Sequence, residues 1–122
     1  MTEKYTLGID IGTTGVKASV LDIENSKVVA HSLIEHPLFH PKPGYAEQEG
    51  DNYWKAVVEA IKDCFSQGSY GNKIAGVSIS GLVGVMLPID KEGKPVRPAM
   101  IWMDSRSEEE CTDIRNSIGE EK

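Results

Sequence analysis

The run Leu7-Gly8-Ile9-Asp10-Ile11-Gly12-Thr13-Thr14-Gly15-Val16-Lys17-Ala18-Ser19-Val20-Leu21-Asp22 places two apolar alternations on either side of a turn rich in Gly and Thr. Leu7, Ile9 and Ile11 alternate with Gly8, Asp10 and Gly12, the period of a half-buried strand. Val16, Ala18 and Val20 repeat that period after the turn. Gly12 and Gly15 are expected to take backbone angles that other residues resist. Thr13 and Thr14 bring hydroxyls and N–H groups to one place, and Asp10 adds a carboxylate at the strand end. N–H groups converging in a turn make an anion site, and one carboxylate beside them suits a hydrated Mg²⁺. The combination points to a nucleotide phosphate. An ordinary hairpin, with Asp10 and the threonines as turn formers, fits the same spacing. The chain has no G-x-x-x-x-G-K-[ST] and no helix-opening G-x-G-x-x-G, which excludes the P-loop and the dinucleotide fingerprint.

Working outward, Ile23 to Ser26 is a polar turn, and Lys27 to Ile34 reads as a third strand that completes an antiparallel meander. His36 to Gly50 holds three prolines and two glycines and is too long for a mere connector. A helix is expected next, with Asp51 as N-cap and Trp54, Val57, Val58, Ile61 and Phe65 on its apolar stripe. That spacing places Trp54 in the core. Ile74 to Ser80 reads as a buried strand, Val85 to Ile89 as a further apolar run and Asp90 to Gly93 as a turn. Met100 to Trp102 is a short apolar segment. Ser105 is the expected cap of a last helix reaching Ile118, with Glu108 as its capping-box partner. Strands, a crossover helix and a further strand make an α/β pattern.

At 122 residues the chain is one domain or less. A net charge of −6 argues against a nucleic-acid surface. Cys64 and Cys111 have neither metal-site spacing nor a disulfide-dense context, so reduced thiols are expected. No segment approaches the roughly 20 apolar residues of a membrane span, and Met1 to Lys4 lacks the apolar run of a signal peptide. The cytoplasm is the expected compartment. His31, His36 and His40 pair with no acids or cysteines at metal-ligand spacing and read as solvated.

The first hairpin resembles the phosphate motif of the actin-like superfold and, more narrowly, the N-terminus of an FGGY-family carbohydrate kinase. The resemblance continues through Gly44-Tyr45-Ala46-Glu47-Gln48, Ile79-Ser80-Gly81 and Arg97-Pro98-Ala99-Met100-Ile101-Trp102-Met103-Asp104-Ser105-Arg106, in the family's order and spacing. The W-x-D-x-R pattern is its most specific part. The implied fold is a ribonuclease H-like N-terminal lobe, truncated, spanning residues 1–122, and the chain is expected to be a piece of a longer, two-lobed parent. The resemblance implies an ATP- and Mg²⁺-dependent transfer of the γ-phosphoryl group to a sugar hydroxyl. Asp10 would lie near the metal and the transferring group, and Gly12, Thr13, Thr14 and Lys17 near the phosphates. A plain solvated Lys17 fits as well.

Trp102, Asp104 and Arg106 share one face if their segment is extended. An indole stacks on the C–H face of a sugar, a carboxylate accepts from its hydroxyls, and an arginine holds that carboxylate by two prongs. In the family the matching Trp and Asp line the sugar site. A helix entry with a buried Trp and a surface ion pair fits the same residues. Glu47 and Gln48 would orient the loop beside the sugar cleft or simply brace it. Xylulokinases commonly carry G-Q-M-H where this chain has Gly81-Leu82-Val83-Gly84. A pentulose such as xylulose is the expected acceptor, with a sugar acid or a polyol left open. A non-catalytic actin-like nucleotide-binding domain is the remaining alternative. The family's general base and adenine site would lie beyond Lys122, so the chain alone is expected to be inactive. A homodimeric parent is compatible with this reading.

Overall fold

The computed structural model describes residues 4–119, so the expectations about residues 1–3 and 120–122 fall outside the described residues. The two alternations form β1 (Tyr5–Ile11) and β2 (Gly15–Asp22), and the Val-rich stretch after the polar turn forms β3 (Lys27–Glu35). A short β4 (Glu47–Gln48) interrupts the proline-rich loop. Then follow α1 (Gly50–Ser66), β5 (Ile74–Gly81), the short β6 (Ala99–Met100) and α2 (Glu108–Ile118). No helix among the described residues is long and apolar enough to cross a membrane. The chain divides into two units. One holds the residues up to Pro37 with Glu49–Val83, and the other holds Leu38–Gln48 with the residues from Gly84 onward.

In the first unit the sheet order is β3-β2-β1-β5. The first three strands are the antiparallel meander that the alternation predicts. β5 pairs with β1 in parallel, as a return through a crossover helix requires. Leu7, Ile9, Val16, Ala18 and Val20 point to one face, and α1 covers them with Ala56, Ala60 and Cys64. Each fully buried valine contributes roughly 1.5–3 kcal/mol.

Three expectations about these elements are corrected. Trp54 is not core: it is 70% exposed. The fully buried residues of α1 are Ala56, Ala60 and Cys64, and Val57, Ile61 and Phe65 of the expected stripe pack beside them, partly buried. Trp54 precedes Ala56 by two residues, which at about 3.6 residues per turn sets it on nearly the opposite side. β5 is not buried either, with Val77 59% and Ile79 67% exposed. The helix packs mainly on β2 and β3, so of the large apolar residues of β5 only Ile74 packs against the core. Asp51 is not the cap of α1. The helix starts at Gly50 behind Glu49, with no side-chain cap bond, and Asp51 sits in the first turn, where its charge favours the helix N-terminus.

The turn that joins β1 to β2 needs glycine for a reason other than the expected one. Neither Gly12 nor Gly15 has a positive φ. A Cβ on Gly15 would instead lie 2.5 Å from the Ile34 carbonyl oxygen and 2.9 Å from Glu35 Cα. The end of β3 therefore presses directly on the turn. At its other side β3 is an edge strand. The Gln67 side-chain amide accepts from His31 N–H (3.3 Å) and donates to His31 C=O (2.8 Å). Tyr70 O–H donates to Val29 C=O at 3.3 Å.

In the second unit β4 and β6 pair antiparallel, Glu47 with Met100 and Gln48 with Ala99. Ala46, Gln48, Ala99 and Ile101 are buried there. Met86 and Met100 exchange two backbone bonds of 2.9 Å, and the Asp90 carboxylate closes the following turn by accepting from Glu92 and Lys94 N–H. Ser105 does not cap α2, which starts at Glu108 behind Ser107 without a side-chain cap bond. The Ser105 N–H (2.8 Å) and hydroxyl (3.4 Å) both donate to Gly44 C=O, which takes the hydroxyl away from the helix.

Gly15→Ala is expected to destabilise the protein by about 1–3 kcal/mol, because the added methyl overpacks against backbone. Trp54→Ala is expected to stay within about 0.5 kcal/mol, as for an exposed side chain. Urea unfolding followed by circular dichroism measures both, and a large loss on Trp54→Ala would contradict its exposed placement.

Candidate functional site

Asp10 and Lys17 face each other across the first hairpin, with 3.9 Å between Oδ2 and Nζ and both side chains half-exposed or more. Such an exposed pair contributes little to stability and leaves both charges available. They lie on the polar face of the sheet, away from α1. The register sets Ser80 beside Asp10, and Ser78 beside Gly8. Together with Ser19 these residues line an open cleft of about 340 Å³. One carboxylate amid hydroxyls suits Mg²⁺, which keeps most of its waters and takes phosphate oxygens. No group of three His, Cys, Asp or Glu side chains that could hold a metal ion gathers among the described residues.

The adjoining turn is closed by Gly12 N–H donating to Gly15 C=O at 2.9 Å, with Thr14 exposed and Thr13 partly so. His36 corrects a further expectation. It is 8% exposed rather than solvated. Its Nε2 lies 3.1 Å from Gly12 C=O, and its backbone N–H donates to Thr14 C=O at 3.3 Å. A carbonyl only accepts, so this hydrogen bond requires a proton on Nε2. Tyr53 of α1 meets the imidazole edge-on, with ring centroids 5.0 Å apart. The one sequence signal for this role is the position of His36 directly after β3.

The second constellation belongs to the second unit. The segment through Trp102, Asp104 and Arg106 is a turn, not an extended stretch, because Asp104 N–H donates to Ile101 C=O at 2.8 Å. Trp102 and Asp104 nonetheless line one cavity, which Arg106 does not. Trp102 is 62% exposed, whereas only 1% of the Asp104 side chain and 16% of Arg106 are accessible. Asp104 Oδ2 accepts from Ala46 N–H at 2.7 Å and from Arg106 Nη2. Its Oδ1 accepts from Arg106 Nε at 2.8 Å and from Arg106 N–H at 3.1 Å. Arg106 also donates to Glu47 Oε1 at 2.7 Å and lies 3.7 Å from the Tyr45 ring centroid, a cation–π contact. Arg97 reaches the same Glu47 oxygen at 3.4 Å.

These contacts give the Gly44–Gln48 segment a physical role, since Tyr45, Ala46 and Glu47 form the other half of the Asp104–Arg106 bracket. The arginine hydrogen bonds hold the Asp104 carboxyl well below the usual carboxylate range against an opposing burial effect, and the backbone N–H groups lower it further. The same bonds raise Arg106 above its ordinary value. Trp102 and Asp104 line a cavity of about 640 Å³ with Val85, Met86, Met100 and Ile101. Gly84 abuts it with φ +70°, and a Cβ there would meet Trp102 Cβ at 3.2 Å. Any side chain at 84 would strain the backbone and crowd the indole.

The bracket sets a pH dependence. Because the folded Asp104 pKa lies below its ordinary value of 3.8, its contribution is complete above that value and is lost as pH falls through the folded one. Asp104→Asn is expected to lower stability by about 1.5–3 kcal/mol at neutral pH, the range for a hydrogen bond to a charged group. The difference from wild type should be flat between about pH 5 and pH 8 and shrink below about pH 4. Urea unfolding of both proteins across pH measures it, and a difference that grows on acidification would contradict the bracket.

Residues 5–122 match the N-terminal domain of the FGGY family of carbohydrate kinases. The xylulose kinase of Staphylococcus xylosus is 35% identical over 115 residues, covering 94% of this chain and 23% of that protein. The glycerol kinase of Thermococcus kodakarensis is 32% identical over 118 residues, covering 96% of this chain and 24% of that protein. Among solved structures, the gluconate kinase of Lactobacillus acidophilus superposes with a TM-score of 0.87 at 28% identity, over 96% of this chain and 23% of that one. The chain thus spans about a quarter of the length of these relatives. Its α/β architecture is the actin-like fold of these kinases. The match runs through both constellations, the Asp10 hairpin and the Trp102 bracket, and the chain belongs to the FGGY family of carbohydrate kinases.

Proposed function

We propose that the protein carrying this chain is an ATP-dependent carbohydrate kinase, and that this region supplies part of its phosphate site and part of its sugar site. The observation that carries the reading is the coexistence, in one family-matched chain, of the Asp10 hairpin with an exposed indole over a cavity held by a saturated carboxylate bracket. A nucleotide-binding module without a sugar acceptor has no use for the second feature.

In this reading an acceptor hydroxyl oxygen attacks the γ-phosphorus, the bond to the ADP oxygen breaks, and the hydroxyl proton passes to a base. The resemblance assigns that base to a segment beyond Lys122. Asp10 would hold the waters of Mg²⁺, which when bound supplies charge neutralisation for the transferring group. The Gly12–Thr13–Thr14 turn would receive phosphate oxygens through N–H and hydroxyl groups, with Lys17 adding charge. Trp102 would carry the sugar contact with Asp104 beside it, while Arg106 acts as the positioning residue. Asp104 lines the same cavity, with its oxygens held by Arg106 and by Ala46 N–H, so it would meet the acceptor beside Trp102 as well as hold the segment.

For the acceptor itself a pentulose such as xylulose is the first choice, supported by the Staphylococcus xylosus relative. The polyol and sugar-acid readings draw support from Gly84, which leaves no side chain where xylulokinases commonly present a histidine. A cytoplasmic setting agrees with the thiols. Cys64 is buried, donates to Ala18 C=O at 3.4 Å, and has its pKa raised by burial and then by Asp63, which keeps it inert.

A coupled ADP-release screen of the full-length protein against pentuloses, hexonic acids and polyols is expected to yield one class of acceptor. ATP turnover unchanged by every acceptor would overturn the kinase reading. Asp10→Asn is expected to lower kcat by about 100-fold or more with little change in sugar KM. Trp102→Ala is expected to raise sugar KM about tenfold, a loss near 1.4 kcal/mol, while ATP KM stays unchanged. Steady-state kinetics with each substrate varied in turn separates the two effects.

A further inference from the structure

We propose that His36 is a positioning residue for the phosphate turn, locking the Gly12–Thr13 peptide so that its N–H faces the nucleotide phosphate. The inference rests on the phosphate reading of that turn. Its geometry is independent of that reading and lies wholly within the first unit.

A trans peptide directs its C=O and its N–H to opposite sides. The Gly12 carbonyl points at His36 Nε2, 3.1 Å away, so the N–H of the same peptide, that of Thr13, points away from the imidazole. Gly12 has no Cβ to resist the reverse orientation. A flipped peptide would offer an anion a carbonyl oxygen in place of a donor, which converts attraction into repulsion. His36 removes that choice, because its Nε2–H rewards only one orientation.

The second contact makes the lock specific to this turn. The His36 backbone N–H donates to Thr14 C=O at 3.3 Å. One residue therefore grips the turn at two carbonyls, on either side of Thr13. Its own position is over-determined. The bare backbone of Gly15 admits the end of β3 to contact distance, with a virtual Cβ 2.5 Å from Ile34 C=O, and His36 follows β3 directly. Tyr53 meets the ring edge-on with planes at 82°, which ties the imidazole to α1. The side chain is 8% exposed, so water competes poorly for Nε2–H.

The test uses the full-length protein and two substitutions. His36→Phe keeps a ring for Tyr53 and removes the donor. His36→Gln keeps an N–H near the place of Nε2. His36→Phe is expected to raise ATP KM about three- to tenfold, the equivalent of one net hydrogen bond, with sugar KM unchanged. His36→Gln is expected to recover most of that loss. Wild-type ATP KM in His36→Phe, or an equal rise in sugar KM, would overturn the lock. So would a His36→Gln enzyme as impaired as His36→Phe. Asp10→Asn separates this from failure of the phosphate reading: wild-type kcat there removes the premise whatever His36 does. Should His36→Phe not fold, ¹⁵N NMR of the unsubstituted protein decides. A ring protonated on Nε2 with a slowly exchanging proton is expected, and the Nδ1–H tautomer or a rapidly exchanging Nε2–H overturns the proposal.

Discussion

A single carboxylate organises the second unit. Asp104 has almost no access to water, and a buried charge is tolerated only when its oxygens are fully hydrogen-bonded. The donors come from Arg106 nearby and from the backbone of Ala46, 58 residues away. Bonding to a backbone N–H fixes a position of the chain rather than a mobile side-chain tip. The segment before α1 is thereby fastened to the one before α2, and β4 and β6 are left in register. Trp102, two residues before Asp104 in the same turn, is 62% exposed.

The two units rely on different physics. The first buries branched aliphatic side chains of a meander under a helix that presents alanines and a cysteine. The second buries little apolar bulk, chiefly Ala46, Ala99 and Ile101, and depends on charge-assisted bonds among Glu47, Asp104 and Arg106. Apolar burial is insensitive to pH, whereas the bracket weakens when the Asp104 carboxylate takes up a proton. The chemistry of each unit matches its scaffold: a polar cleft on an otherwise apolar sheet, and an apolar cavity on an otherwise ionic framework.

The meander was legible because period-two alternation has one structural solution when a face must be buried. The return strand was legible in type but not in burial, since Val77 and Ile79 look like core residues and pattern alone does not say what covers them. Trp54 misled because it extends a stripe whose members Val57, Ile61 and Phe65 do pack against the core, while the deepest places go to Ala56, Ala60 and Cys64. Ser105 was misjudged as a cap because its competing partner, Gly44 C=O, is 61 residues away. The triplet at Trp102, Asp104 and Arg106 was legible as a constellation, but its geometry was not, because an i to i+3 backbone bond turns the segment. His36 escaped notice for a similar reason: its partners are carbonyls, which sequence does not display.

The side chains that follow α1 give the sheet a polarity across its width. Gln67 and Tyr70 occupy the outward-facing backbone groups of Val29 and His31 on β3, so another strand cannot zip along that border without displacing them. The outer border of β5 carries no comparable guard among the described residues. Lateral extension of this sheet is therefore one-directional: β3 is a terminus, and β5 is the side on which a further strand would add.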